Sequence, residues 1–143
     1  MTQTETDPDP TGLTETESYY PRGADESGTL TAEIIEHDPD IMTGFREPAE
    51  VAMVRLAWES ESGDESKEAY VRVYHVAPKL QKLRVGEPEQ WVREAWAIEC
   101  DETGDPVRNG HGRNELFNYS TPRPLNWSDL LEDVTECVEY VIH

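Results

Sequence analysis

Four histidines, two cysteines and a dense population of carboxylates are the groups in this chain that could do chemistry. His37 stands in EHDPD beside Glu36, Asp38 and Asp40, a mixture of borderline and hard metal ligands. A zinc site needs three or four convergent ligands, usually at short fixed spacings, and neither C-x-x-C nor H-E-x-x-H occurs. As a calcium loop, DPDIMTG fails because Met42 follows the acidic pair where a ligand belongs and the central glycine is missing. EHDPD therefore reads as a solvated strand end, and no metal is expected.

Nucleophilic catalysis requires an activated serine or cysteine within reach of a base, usually at a strand-to-helix turn, and no G-x-S-x-G is present. Cys137 falls on an apolar helical stripe and Cys100 at a strand end, so both read as small core residues with free thiols. RNGHGRN holds the only Gly-x-Gly. Without a third glycine or a following Lys–Ser/Thr it reads as a loop and not as a phosphate cradle. Neither catalytic residues nor a cofactor are expected.

The more informative pattern is where acid is missing. Asp and Glu number 31 against 12 Lys and Arg, a formal net charge of -19. Yet Ala69 to Gly86, AYVRVYHVAPKLQKLRVG, has no carboxylate and carries Arg72, Lys79, Lys82 and Arg84. A second gap, PVRNGHGRN, carries Arg108 and Arg113, and a third, LFNYSTPRPLNW, carries Arg123. A buried strand excludes charge in any case, but that does not explain PKLQKLR, which holds two of the three lysines. These basic residues form the candidate partner-binding set. An acidic neighbour is their natural complement, and the first 27 residues of another copy have that character. Tyr19 and Tyr20 would then supply the desolvated anchors that charge alone lacks.

Such an acid excess, with nine arginines against three lysines, resembles in composition the proteins of halophilic archaea, whose carboxylate shells hold water while molar salt screens self-repulsion. Free duplex DNA is a poor partner for it, because affinity there comes from clustered Lys and Arg. No apolar run approaches a membrane span, so no membrane association is expected. No signal-peptide pattern follows Met1, which points to a cytoplasmic protein or one incorporated in a virion.

The elements that must position these residues follow from periodicity. Residues 1–27 are rich in Thr, Asp, Glu and Pro, with Leu13, Tyr19 and Tyr20 as their sizeable apolar side chains, and read as an extended or disordered acidic arm. Residues 28–143 read as one α+β domain. TLTAEIIEH alternates as a half-buried strand, and AEVAMVRLAWES is apolar nearly all round, which places it centrally. ESGDES turns the chain into KEAYVRVYHVAP, ended by Pro78, so 49–77 is a hairpin. A short helical turn is expected near 87–91, a strand from Val92 to Cys100 and a short partner near Val107. NWSDLLEDVTECVEYVIH has helical spacing, with Asn126 or Ser128 as cap. The expected fold is a small antiparallel sheet of about four to five strands with this amphipathic helix packed on one face. Leu56, Trp58, Val73, Trp96, Ile98, Leu130 and Val134 should share its core.

Three functions fit these features. The leading one is a non-enzymatic structural or assembly protein of a halophilic archaeal system, for instance a capsid-decorating, head–tail or tail component of a virion, homo-oligomeric and contacting neighbours through its arm. Second is a soluble acidic regulatory or binding module, including an inhibitor that mimics nucleic acid. Third is a small hydrolase-like enzyme built on scattered Asp, Glu and His.

Overall fold

The computed structural model describes residues 13–42, 48–82, 84–107 and 115–142. The chain runs through β1 (Leu13–Tyr19), β2 (Gly28–Met42), β3 (Pro48–Ser60), β4 (Ser66–Val76), β5 (Lys79–Gln81), β6 (Gln90–Cys100) and β7 (Glu115–Thr121). It ends in α1 (Trp127–Glu136) and α2 (Val138–Val141). The expectation of an α+β fold with four to five strands is therefore corrected. The fold is predominantly β, a curled seven-stranded antiparallel sheet, with helix confined to a short C-terminal segment.

The added strands come from stretches whose composition hid them. Residues 13–19 belong to the region read as an arm, yet they pair with β2, Leu13 facing Glu33 and Tyr19 facing Gly28. What recruits so polar a segment is the edge of β2, whose backbone groups need partners, helped by Trp58: its Nε1 donates to the Tyr19 carbonyl at 3.0 Å. Pro21 and Ala24 are buried in the turn that follows. Gly28 then starts β2 so close to β3 that a Cβ there would lie 2.0 Å from the Glu59 carbonyl oxygen, so only glycine fits. β7 forms from LFNYST, and it replaces the partner expected near Val107, where a single bridge joins Cys100 to Pro106. No helical turn forms at 87–91. The Leu80–Trp91 pairing instead extends β6 back to Gln90.

Strands β1, β2, β3, β4 and β6 lie side by side in that order, and β7 borders β6. Cross-strand pairing sorts the side chains into two faces. The inner face carries Leu30 and Ala32, then Val54, Leu56 and Trp58, then Ala69, Val71 and Val73, then Ala95 and Ala97. These form one cluster with Leu130, Leu131, Val134, Val138 and Ile142 of the C-terminal helical segment. Trp96 and Ile98, expected in this core, are corrected: they pair with Tyr74 and Arg72 on the outer face and are half-buried. On β6 the members of the cluster are Ala95 and Ala97, whose small side chains leave room for the larger groups opposite. Asn126 caps α1, its side-chain oxygen accepting from the Asp129 amide at 2.9 Å, and Asp129 lies at the positive end of the helix. No helix among the described residues is long and apolar enough to cross a membrane.

The Trp58 indole is the tie between β1 and the core, and this generates a test. Trp58→Phe keeps most of the buried area but leaves the Tyr19 carbonyl without its donor, a loss of about 1 kcal/mol. The expected result is a melting temperature lower by about 3–5 °C and faster hydrogen exchange across residues 13–19 than across β3.

Candidate functional site

After Val76 the chain breaks its strand at Ala77–Pro78 and resumes as β5, which pairs with β6 through Lys79–Val92, Leu80–Trp91 and Gln81–Gln90. β5 lies on the β4 side of β6. Two intervening residues cannot carry the chain across two strand spacings, roughly 10 Å, while also advancing along β6. β3 reaches only as far as the hydrogen bond from the Ala77 amide to the Pro48 carbonyl (3.0 Å), and β7 only as far as Arg93. Residues 79–82 and 84–92 therefore form a two-stranded finger that extends past the described strands on either side. A left-handed Gly86, φ +88°, turns its tip.

The finger carries three of the seven large apolar side chains that stand exposed among the described residues. Leu80 and Trp91 face each other across its strands and are 50% and 63% exposed. Val85 at the tip is fully exposed, and so largely are Lys82 and Arg84. Lys79 holds Glu94 at 3.5 Å on the other side of the ribbon. Lys79, Lys82 and Arg84 are thus brought together, and the apolar pair between them is the part that sequence reasoning missed. Alternation across a short hairpin was the signal that could have revealed it.

The other residues of the candidate set lie elsewhere. Tyr19 packs against the core, and burial together with the Glu139 carboxylate pushes its phenol above the usual range, so it is a structural residue. Tyr20, one residue on, is 58% exposed. Arg72 sits over the Tyr74 ring, 5.7 Å from its centre, and donates through Nη1 to the Gly104 carbonyl at 3.2 Å. Tyr74 in turn stacks on Trp96 at 5.0 Å. Arg72 therefore fastens the 101–105 turn to the outer face. Asp101 shapes that turn by accepting from the Thr103 hydroxyl and from the Thr103 and Asp105 amides, and these hydrogen bonds, the hydroxyl's first, lower its carboxyl below the ordinary value. Arg123 is exposed after β7, beside Asp129 and Asp133 of α1. Arg108 and Arg113 lie outside the described residues.

A polar cluster joins the sheet to the start of α1. His37 Nε2 lies 2.9 Å from Glu50 Oε2, and the rings of His37 and His75 both meet Trp127 edge-on, at 5.6 and 6.1 Å. His75 is buried, with Arg93 Nη1 at 3.5 Å from its Nε2, so the neutral ring accepts there and carries its proton on Nδ1. Burial and the Arg93 charge lower its affinity for a second proton, against a smaller opposing pull from Glu50. The hydrogen bonds of these histidines go to Glu50 and Arg93 and to no hydroxyl or thiol, so among the described residues they activate no nucleophile. No set of three or more His, Cys, Asp or Glu side chains among the described residues is placed to hold a metal. Burial raises both thiols, Cys100 to about 11, which holds them protonated. An outer-face cleft of about 830 Å³, lined by Glu36, Asp38, Met53, Arg72 and Tyr74, contains no such activated pair either.

Glu99 faces inward opposite Val71, with Oε1 buried and without a hydrogen-bond partner among the described residues, and burial raises its carboxyl to about 6. The folded state therefore holds this proton more tightly than the unfolded chain does. Stability from this group is present at low pH and lost as pH rises from about 4.5 through about 6. Glu99→Gln should accordingly melt about 3–5 °C above the parent at pH 8. That advantage should vanish near pH 4, and calorimetry across the pH series reads it directly.

Comparison of the chain with profiles of known families, with characterised proteins and with solved structures gave no match, so the functional reading rests on the geometry of this surface.

Proposed function

We propose that this chain is a non-enzymatic structural or assembly subunit that holds a protein neighbour through the finger of residues 79–92. One observation carries the reading: Leu80 and Trp91 form an exposed apolar pair, flanked by Lys82 and Arg84, on a ribbon that extends beyond the sheet. Exposed indole and leucyl surface is a costly arrangement for a free solute, and here it stands beside Lys82 and Arg84 in a chain of net charge -19. The same groups are what a protein interface buries: an aromatic anchor with a charged rim. Cations so few in number suit a carboxylate-bearing protein better than duplex nucleic acid. The composition supports placing the protein in a halophilic archaeal system, in the cytoplasm or within a virion as a decorating, head–tail or tail component.

The finger and the assembly are tested together by light scattering of the full chain in about 2–3 M KCl, where surface charge is screened within roughly 3 Å. The parent should form species well above its 16.3 kDa. Leu80→Ser combined with Trp91→Ser should return it to single chains with an unchanged circular-dichroism spectrum. A parent that remains at single-chain mass up to millimolar concentration defeats the assembly reading and favours a monomeric binding module.

The composition carries its own expectation. With so many like charges, structure should be lost below roughly 0.5 M salt as screening weakens. Circular dichroism over a KCl series measures this, and an equally cooperative melt at 50 mM and 3 M would defeat the halophilic part.

A further inference from the structure

We infer that the finger's partner is a second copy of this chain, engaged along its β1 edge, so that copies join head to tail. This rests on the reading of the finger as an interface and adds the identity of what it meets. β1 is the first strand of the sheet, paired with β2 on one side. Among the described residues no strand pairs with its other side, which leaves there a row of backbone donors and acceptors, the usual template for an added strand. Beside that row stand Leu13 and Tyr20, 57% and 58% exposed, and the exposed carboxylates Glu15 and Glu17. The finger presents the complement, Leu80 and Trp91 with Lys82 and Arg84. Each surface has exposed apolar side chains and a backbone edge that no described strand pairs, and Lys82 and Arg84 are opposite in sign to Glu15 and Glu17, with Glu87 and Glu89 of the finger exposed nearer its tip.

One chain cannot satisfy both surfaces by itself. β1 pairs with Gly28–Glu33 of β2, which in turn pair with Arg55–Ser60 of β3, whereas the finger leaves the sheet at the Pro48 end. The two are separated by roughly 25–30 Å along the strands and by three strand spacings, about 14 Å, across them. They occupy diagonally opposite corners. A contact between two different surfaces of identical chains is heterologous, so it propagates into a ring or a filament and does not stop at a dimer.

Leu13 and Leu80 are both largely exposed, so Leu13→Cys and Leu80→Cys leave the core intact, which circular dichroism verifies. The parent, with Cys100 buried and Cys137 half-buried, is the control. Mild oxidation of the two single variants mixed in concentrated KCl should yield a covalent dimer that neither yields alone, and the chain carrying both changes should give a ladder of dimer, trimer and longer species. A Leu80→Cys protein that cross-links with itself as readily would mean that fingers meet fingers; this overturns the head-to-tail contact while leaving the finger an interface. Assembly of the parent with no cross-link in the mixture overturns the β1 edge as the receptor. A parent that never assembles removes the reading beneath it as well. A charge exchange gives an independent measure at the lowest salt that keeps the fold. Lys82→Glu with Arg84→Glu should weaken assembly, and mixing with the Glu15→Lys, Glu17→Lys chain should restore it. Loss without restoration argues against the contact.

Discussion

The apolar cluster shared by the sheet and the C-terminal helical segment is the interaction on which the rest of this molecule depends. Leu30, Leu56, Trp58, Val71 and Val73 supply one side, and Leu130, Val134, Val138 and Ile142 the other, all at or below 2% exposure. Each such side chain contributes about 1.5–3 kcal/mol of burial. That has to exceed both chain entropy and the mutual repulsion of a surface with 31 carboxylates. Because Trp58 is fixed within the cluster, its indole can hold the Tyr19 carbonyl, and so β1 is bound to the sheet by the same packing. The polar cluster of His37, Glu50, His75 and Arg93 then closes one end of it against Trp127.

What could be read beforehand was what the alternation of side chains encodes directly. The β3–β4 hairpin and the capped α1 are strong patterns, and Leu56, Trp58, Val73, Leu130 and Val134 lie in the core as their periodicity implies. β6 misled because QWVREAWAIEC puts its large apolar residues and its alanines on opposite faces, and size suggested the wrong face. The inner positions are Ala95 and Ala97, because space beneath the C-terminal segment is limited, while Trp96 is accommodated outside by stacking on Tyr74. β1 was hidden for another reason. LTETESY has no apolar face and joins the sheet through backbone pairing, for which side-chain periodicity gives no signal.

The candidate surface was legible to the same partial extent. A run without carboxylates in so acidic a chain singled out Lys79, Lys82 and Arg84, and the structure places all three on or beside one ribbon. Composition could not separate cations facing solvent from those already used inside the fold. Arg72 lies in the same run, but its guanidinium fastens the 101–105 turn through Gly104. Nor could it show that Leu80 and Trp91 share a face, since that depends on the register set after the break at Ala77–Pro78.

A sheet edge is ordinarily protected by charge or by twist, and β1 has charge in Glu15 and Glu17. Where salt screens them poorly, those carboxylates oppose the approach of another copy's acidic surface to the edge. In concentrated salt the same repulsion is screened within a few ångströms, so that protection weakens there. Discrimination must then come from short-range terms, namely apolar fit and directed hydrogen bonds between backbone edges, since both persist when long-range charge does not. Leu13 and Tyr20 at the two ends of β1, and Leu80 and Trp91 on the finger, are groups of that kind. In the proposed contact the few cations of the finger would act at short range, fixing register against Glu15 and Glu17 and adding little to affinity.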